Sequence, residues 1–241
     1  MAGRNPGTKL ELGWISKVYV NRPEVVRHAE QIKKWRTVKG NWQAAWLLKA
    51  VTCIDLTALS GDDTPSSIHR LCFKAKHPIR EDLLKALDMH DKGLYEEIRQ
   101  CREACGEAHM KTILSTGELG SLANVYKASM IAMMAGSDFI KTSTGKEVEN
   151  ATFPVGVVMM RAIKEFYWQT GYKVGFKPAG GIRTAKEAIT WLMLVKEELG
   201  VEWLTPELFR LGASSLLEDI EKQIFYHVTG SYPLQHDLAV A

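Results

Sequence analysis

Four consecutive strand–helix units, beginning at Met110, constrain the fold of this chain more than any other feature. Each unit has a short apolar segment of strand length, then a loop, then a longer segment with apolar residues at helical spacing. Consecutive strands with helical crossovers pair in parallel, so the pattern predicts an α/β fold with the unit spacing of a (β/α) barrel. The predicted strands are Met110–Ser115, Asp138–Lys141, Lys173–Lys177 and Leu208–Leu211, and the predicted helices are Leu122–Ala135, Val155–Gln169, Thr184–Glu198 and Ser215–His227.

The part of the chain before Met110 is less regular. One further strand is predicted at Val51–Asp55, and no strand can be placed between Asp55 and Met110. The predicted domains are an N-terminal helical extension at residues 1–50, a shortened barrel domain at 51–227, and a mobile C-terminal tail at 228–241. The chain is therefore expected to have about five parallel strands, too few for an eight-stranded barrel.

Composition excludes several classes of function. Of the 241 residues, 46% are apolar and 24% are charged, and the net charge of +3 comes from dispersed basic residues. We therefore expect no nucleic-acid partner, and the lack of an apolar run of about 20 residues predicts no membrane partner. The four cysteines and seven histidines lack metal-ligand spacing, so we expect no metal, reduced thiols and a cytoplasmic location.

Two lysines each end a predicted strand, Lys141 after Phe139-Ile140 and Lys177 after Gly175-Phe176. Neighbouring parallel strands lie about 4.8 Å apart, so the two amines are expected on one rim of the sheet. A nearby like charge and partial burial lower the pKa of an amine, and a neutral lysine attacks carbonyl groups to form a Schiff base. For a lysine considered singly, the alternative is a surface charge.

Glycine-containing loops follow the last two predicted strands, each at the start of a helix. They contain Gly180 and Gly181 in one case and Gly212, Ser214 and Ser215 in the other. Backbone N–H groups at such loops bind phosphate, which the helix N-terminus also favours. The alternative is helix capping, because Thr184 with Glu187 and Ser215 with Glu218 both fit the capping box. For the Asp55 side chain, three roles stay open: pairing with a lysine, relaying protons, or capping the next loop.

The sequence resembles the deoxyribose-phosphate aldolases, and its N-terminal helices resemble those of the longer, animal-type members. The resemblance rests on five motifs that occur in the family's order between residues 40 and 230. They are Phe139-Ile140-Lys141-Thr142-Ser143-Thr144-Gly145-Lys146, Gly175-Phe176-Lys177-Pro178-Ala179-Gly180-Gly181, Phe209-Arg210-Leu211-Gly212-Ala213-Ser214-Ser215, Ile54-Asp55-Leu56-Thr57 and Thr116-Gly117-Glu118-Leu119.

The resemblance implies a class I aldolase on a (β/α)₈ barrel. Such an enzyme cleaves 2-deoxy-D-ribose 5-phosphate reversibly to D-glyceraldehyde 3-phosphate and acetaldehyde, with no metal or organic cofactor. The resemblance implies that Lys141 forms the Schiff base. It also implies that Lys177 perturbs Lys141 and takes part in proton transfer, and that Asp55 belongs to the proton relay. The implied phosphate-binding residues are Gly145, Gly180, Gly181, Gly212, Ser214 and Ser215. The implied partner is a small phosphosugar, and a homo-oligomer is an open possibility.

The chain departs from the family pattern at Gly93/Leu94, where an interior segment is missing. In the family this segment contributes three strands and a catalytic aspartate that shuttles protons. Two alternatives to an active aldolase therefore stay open: an impaired, shortened product that only binds phosphosugars, and a different phosphosugar enzyme on the same rim.

Overall fold

The computed structural model describes residues 5, 8, 11–35, 38–56, 64–76, 109–145, 147 and 149–234. These residues form two compact units. The first unit comprises the described residues within Met1–Arg36, Ala108–Ile182 and Thr190–Gly212. The second comprises those within Thr37–Glu107, Arg183–Ile189 and Ala213–Ala241.

Helices and strands alternate from β2 onward, as the sequence predicts. The helices are α1 (Arg22–Lys34), α2 (Asn41–Thr52), α3 (Pro65–Lys76), α4 (Leu122–Met134), α5 (Phe153–Thr170), α6 (Ala185–Glu198) and α7 (Leu216–Thr229). The strands are β1 (Ile54–Asp55), β2 (Lys111–Ile113), β3 (Phe139–Lys141), β4 (Gly175–Lys177) and β5 (Leu211–Gly212). Short 3-10 helices occupy Leu12–Trp14, Thr116–Leu119 and Val201–Trp203.

The first unit is built on a parallel sheet in the order β2-β3-β4. Lys111, Phe139 and Gly175 share one register row, and Ile113, Lys141 and Lys177 share the row at the carboxyl ends. The chain at residues 208–212 runs parallel to β4, with bridges from Phe176 to Phe209 and from Ala179 to Gly212. The predicted parallel strand–helix units are therefore confirmed. Among the described residues, the strands do not close into a barrel.

Helix α5 supplies much of the core of the first unit. Its N-terminus is capped by Thr152, whose hydroxyl accepts a hydrogen bond from the Val155 N–H at 3.4 Å. The helix is apolar around most of its circumference, which suits a helix that is packed on several sides. Its fully buried residues include Met159, Met160, Ile163 and Phe166, and it packs against α4 and α1.

The second unit contains α2, α3, α7 and the first turns of α6. Helix α2 packs against α7. Lys74 of α3 and Glu221 of α7 form an ion pair at 2.7 Å although both side chains are buried, and Oε1 of Glu221 has no hydrogen-bond partner among the described residues. Asp219 of α7 accepts a hydrogen bond from the Ala185 N–H, which begins α6.

Several predicted strand bounds differ from the structure: β2 and β4 are shorter than predicted, β5 is Leu211–Gly212 instead of Leu208–Leu211, and the start of β1 is wrong. Val51 was expected to begin a strand, but α2 continues through Thr52 and β1 contains only Ile54 and Asp55. Ala44, Leu47, Leu48 and Val51 are buried at the i, i+3, i+4, i+7 spacing of one helix face, so Val51 completes that apolar stripe. The domain boundaries at residues 50 and 227 stay predictions. No helix in the described ranges is long and apolar enough to cross a membrane.

Candidate active site

The two lysines predicted to react lie side by side at the end of the sheet. Lys141 is the last residue of β3 and Lys177 the last residue of β4, and the two are register partners. Neighbouring strands place partner Cα atoms about 4.8 Å apart, and partners in one row project to the same face. Only 8% of Lys141 and 6% of Lys177 is exposed. The first unit therefore holds two amines in a small, largely dry space.

The row beneath the lysines is filled by an aromatic ring. Gly175 is the register partner of Phe139, and a Cβ atom on Gly175 would lie 2.4 Å from Cε1 of that ring. Lys111, in the same row, holds its amine 5.2 Å from the Phe139 ring centroid. Sequence reasoning missed Lys111, although its position at the start of a predicted strand was a usable signal. The ring of Phe139 thus forms the floor under the lysine row.

The loop after β3 is tied to the loop after β4 by hydroxyl groups. Thr142 Oγ1 donates to the Ala179 carbonyl at 3.0 Å and accepts from the Ala179 N–H at 2.9 Å. Ser143 Oγ lies 2.7 Å from the same carbonyl oxygen and 2.8 Å from Asn150 Oδ1. Since Thr142 and Ser143 follow Lys141 directly, these bonds fix the position of the strand end that carries it.

Three of the predicted glycines lie close to backbone or side-chain atoms of neighbouring residues. A Cβ on Gly145 would lie 3.6 Å from the Cα of Gly180, so the two loops approach within van der Waals distance. A Cβ on Gly180, whose φ is +94°, would lie 2.5 Å from Asn150 Oδ1. A Cβ on Gly212 would lie 3.0 Å from the Cε of Lys177, so this glycine leaves room for the lysine stem. A larger residue at Gly180 or Gly212 would have to displace these neighbours, whereas Gly145 is favoured by its φ of +92°.

Gly181 differs from the other three predicted site glycines because no described residue lies within 4 Å of its added Cβ. Its φ of +82° still requires the left-handed region, which favours glycine. Gly180 and Gly181 are therefore consecutive left-handed residues in the loop after β4, which ends at Lys177. Consecutive backbone N–H groups in a glycine turn of this kind can accept a phosphate group.

Glu147 is a second residue that sequence reasoning missed. Its carboxylate accepts hydrogen bonds from the Thr144 N–H at 3.0 and 3.1 Å, from the Gly145 N–H at 3.1 Å and from the Ser115 hydroxyl at 3.2 Å. Partial burial raises the pKa of this carboxyl, but hydrogen bonds from the backbone N–H groups of Thr144 and Glu147 and from the hydroxyls of Thr144 and Ser115 outweigh it. The resulting pKa is about 2.

Three predicted site residues belong to the second unit. Asp55 ends β1 and is partly buried, while Ser214 and Ser215 are exposed and precede α7. The Ser215 side chain makes no capping hydrogen bond, so the capping alternative for this serine is wrong. For Thr184 the capping box is confirmed, because its hydroxyl accepts from the Glu187 N–H and Glu187 Oε2 accepts from the Thr184 N–H.

The structure therefore brings six of the nine predicted site residues together in the first unit: Lys141, Lys177, Gly145, Gly180, Gly181 and Gly212. Two other positions of the predicted motifs, Thr57 and Lys146, lie outside the described residues. What is assembled is a pair of buried lysines at the strand ends, with an open glycine, Gly181, in the loop that follows β4. Such a site can bind a phosphorylated carbonyl compound and form an imine with it.

Known proteins share both the sequence and the fold. Residues 85–218 match the profile of a family described as DeoC/LacD family aldolase. The sequence is 55% identical to a deoxyribose-phosphate aldolase from Bos taurus and 55% identical to one from Homo sapiens, with 100% of both chains covered in each comparison. The crystal structure of a candidate deoxyribose-phosphate aldolase from Toxoplasma gondii ME49 has a TM-score of 0.60 and 17% identity, covering 76% of this chain and 96% of that one. At that identity the likeness supports the fold alone.

The two alignments with the mammalian proteins also show that this chain lacks interior positions that its relatives have. Each extends over 318 positions, so 77 of those 318 positions have no residue in this 241-residue chain. Both ends of the chain are included in the match, so the absent positions lie between them. The predicted seam at Gly93/Leu94 lies outside the described residues.

Proposed function

The chain belongs to the DeoC/LacD family of aldolases, and on that premise we propose that it cleaves 2-deoxy-D-ribose 5-phosphate reversibly to D-glyceraldehyde 3-phosphate and acetaldehyde. The observation that carries this proposal is the register pair of buried lysines, Lys141 and Lys177. Burial and a neighbouring amine both favour the neutral, nucleophilic form of one lysine. The left-handed Gly180-Gly181 pair in the loop after β4, of which Gly181 is open, suits a phosphorylated substrate.

In the proposed reaction, the neutral amine of Lys141 adds to the aldehyde carbon of the open-chain sugar. Loss of water gives the protonated Schiff base. A base then removes the proton of the C3 hydroxyl, the C2–C3 bond breaks, and its electron pair moves to the iminium nitrogen as an enamine. D-Glyceraldehyde 3-phosphate leaves, the enamine is protonated at C2, and water releases acetaldehyde from the lysine.

We assign Lys177 and Asp55 to the proton transfers. Lys177 is the register partner of Lys141, so its ammonium form is near enough to stabilise the neutral state of that amine and to give up a proton. Asp55 is the last residue of β1, which is the strand-end position expected of a residue in the proton relay. The proposed phosphate contacts are Gly145, Gly180, Gly181, Gly212, Ser214 and Ser215.

The proposed chemistry needs no metal or organic cofactor, because the lysine itself acts as the electron sink. The partner is a small phosphosugar, and neither a nucleic acid nor a membrane is needed. We propose a cytoplasmic location. Cys72 is a free, exposed thiol, in keeping with a reducing compartment. Cys101 and Cys105 lie outside the described residues, and a homo-oligomer remains a proposal.

Borohydride trapping with acetaldehyde tests the Schiff base. We expect reduction to leave an ethyl group on Lys141, located by peptide mass spectrometry. The Lys141→Ala variant should lose the adduct, whereas Ser215→Ala should keep it and lose mainly phosphate affinity. Lys164→Ala, which removes an amine on the surface of α5, should behave like the native protein. An adduct that survives Lys141→Ala, or native protein that forms none, would refute the assignment.

A second candidate function is phosphosugar binding without effective turnover. The observation that favours it is the set of 77 positions that this chain lacks relative to its mammalian relatives. By family resemblance, the lost segment contributes three strands and a proton-shuttling aspartate. Loss of one acid–base group lowers a rate by roughly 10²- to 10⁴-fold. An imine on Lys141 would still form, only slowly.

Turnover separates the two candidates. Cleavage of 2-deoxy-D-ribose 5-phosphate should be measured on purified protein, with circular dichroism recorded on the same sample. A rate typical of enzymes, at 1 s⁻¹ or above, would mean that another carboxylate such as Asp55 replaces the lost one. A folded sample that traps acetaldehyde but does not turn over would establish the binding-only candidate instead.

A further inference from the structure

An internal carboxylate already occupies part of the backbone that the proposed function gives to phosphate. Glu147 accepts hydrogen bonds from two adjacent N–H groups, those of Thr144 and Gly145, at 3.0–3.1 Å. Gly145 is one of the proposed phosphate contacts. Consecutive N–H groups of this kind bind an anion without distinguishing a carboxylate from a phosphate oxygen. A phosphate group and Glu147 therefore need the same donors.

The neighbouring loop holds Glu147 in this place. The Ser115 hydroxyl donates to Oε1 of Glu147 at 3.2 Å, and Ser115 adopts φ +48° to present it. Two further contacts fasten the loops together: the Thr116 N–H donates to the Thr142 carbonyl at 3.0 Å, and Gly117 lies directly against the Glu149 carbonyl. Hydrogen bonds from the loop after β2 and from its own loop therefore both hold the Glu147 carboxylate in place.

The charge of Glu147 is present at neutral pH, because its hydrogen bonds hold the pKa at about 2. Phosphate entering at Gly145 would meet this negative charge as well as occupied donors. Gly181 does not share the obstacle, since no described residue lies within 4 Å of its Cβ position. Displacement of Glu147 is therefore a separate step from binding at the glycine pair.

We propose that the Glu147 carboxylate and the substrate phosphate compete for the Thr144 and Gly145 N–H groups, so that Glu147 sets the phosphate affinity of the site. This inference rests on the proposed function, because it takes Gly145 to be a phosphate contact. It makes Glu147 a determinant of how strongly phosphorylated substrates are preferred. A carboxylate that only shaped the loop would have the opposite effect when removed.

Calorimetric titration with inorganic phosphate at pH 7 tests the proposal. Glu147→Gln removes the charge and keeps the side-chain volume, and charge-assisted hydrogen bonds of this kind are strong enough that phosphate affinity should rise about tenfold. Glu149→Gln is the matched control: it removes one negative charge two residues away, on an exposed side chain. We expect it to change the affinity by less than about twofold, because solvent and salt screen an exposed charge.

Ser115→Gly supplies a second variant in case Glu147→Gln folds poorly. It removes one donor to Glu147, and glycine accepts the positive φ without strain. Phosphate affinity should rise about two- to threefold, as expected for the loss of one hydroxyl bond to a charged group. A fall or no change in affinity in both variants would overturn the competition, as would an absence of phosphate binding in every variant. Acetaldehyde trapping on Lys141, which involves no phosphate, then reports separately whether the proposed function survives.

Discussion

Replacement of Gly156 by alanine has two opposing effects on stability, a gain in helix propensity and a steric clash in the core. Gly156 lies inside α5, where alanine is the better helix former by about 1 kcal/mol. The new Cβ, however, would lie 2.5 Å from Cζ3 and 2.9 Å from Cη2 of Trp191, and 3.6 Å from Cδ2 of Leu194. Ordinary contact begins at 3.4 Å, so the indole has to move by about 0.9 Å.

The indole of Trp191 has little room for that movement. It is only 2% exposed, and its ring centroid lies 4.6 Å from that of Phe153 and 6.0 Å from that of Phe176. Overpacking a close-packed core costs about 1–3 kcal/mol, which exceeds the gain in helix propensity. We therefore expect Gly156→Ala to lower the free energy of unfolding by about 1 kcal/mol, which is the middle of the overpacking range less the gain in helix propensity.

Equilibrium urea unfolding measures this change. Gly13→Ala is the control, since nothing lies within 4 Å of its Cβ position, and it should change the stability by less than about 0.5 kcal/mol. Trp191→Phe makes room, so the double variant Gly156→Ala/Trp191→Phe should be more stable than the sum of the single changes predicts, by about 1 kcal/mol. A Gly156→Ala protein as stable as the native one, or additive changes in the double variant, would refute the packing argument.

Two further predictions concern ionised groups. Glu221→Ala should lower the free energy of unfolding by about 3–5 kcal/mol in a denaturation experiment, because it leaves the Lys74 ammonium buried without its carboxylate. Glu218→Ala, which breaks the exposed pair with Lys222, should cost less than about 1 kcal/mol; equal losses would contradict the role of burial. The pKa of Glu147 is depressed from 4.5 to about 2 in the folded protein, so its stabilising contribution is complete above the unfolded pKa and is lost as the pH falls toward 2. The difference in Tm between native protein and Glu147→Gln should therefore shrink from pH 6 to pH 3, and a constant difference would argue against the hydrogen-bonded carboxylate.

The positions of the two lysines were predictable because each ends a short apolar segment within a repeated strand–helix pattern. That pattern fixes which ends of the strands meet, and Lys141 and Lys177 are register partners as a result. Val51 was misassigned because a β-branched residue before Ile54 fits a strand as well as a helix face. Only the burial of Ala44, Leu47 and Leu48 on the same face decides in favour of the helix.

The hydrogen bonds of Glu147 could not be predicted from the sequence. They depend on the backbone N–H groups of Thr144 and Gly145, which look alike in every sequence and become an anion site only when the loop turns. The Ser115 contact depends on a second loop, 32 residues away in the chain. Hydrogen bonds of this kind depend on the three-dimensional positions of the residues. Gly180 and Gly181, by contrast, could be predicted from the sequence, because two consecutive glycines after a predicted strand are unusual.

The packing of Phe139 over Gly175 has a consequence for the assembly of the sheet. If β3 slipped by one residue against β4, Phe139 would face Val174 or Phe176, both fully buried, instead of the gap at the glycine. The same slip would turn one lysine toward the opposite face of the sheet, because side chains alternate along a strand. The Phe139 ring and the lack of a side chain at Gly175, each two residues before a lysine, therefore fix the register of β3 against β4. A misaligned sheet would be badly packed and chemically inert at once.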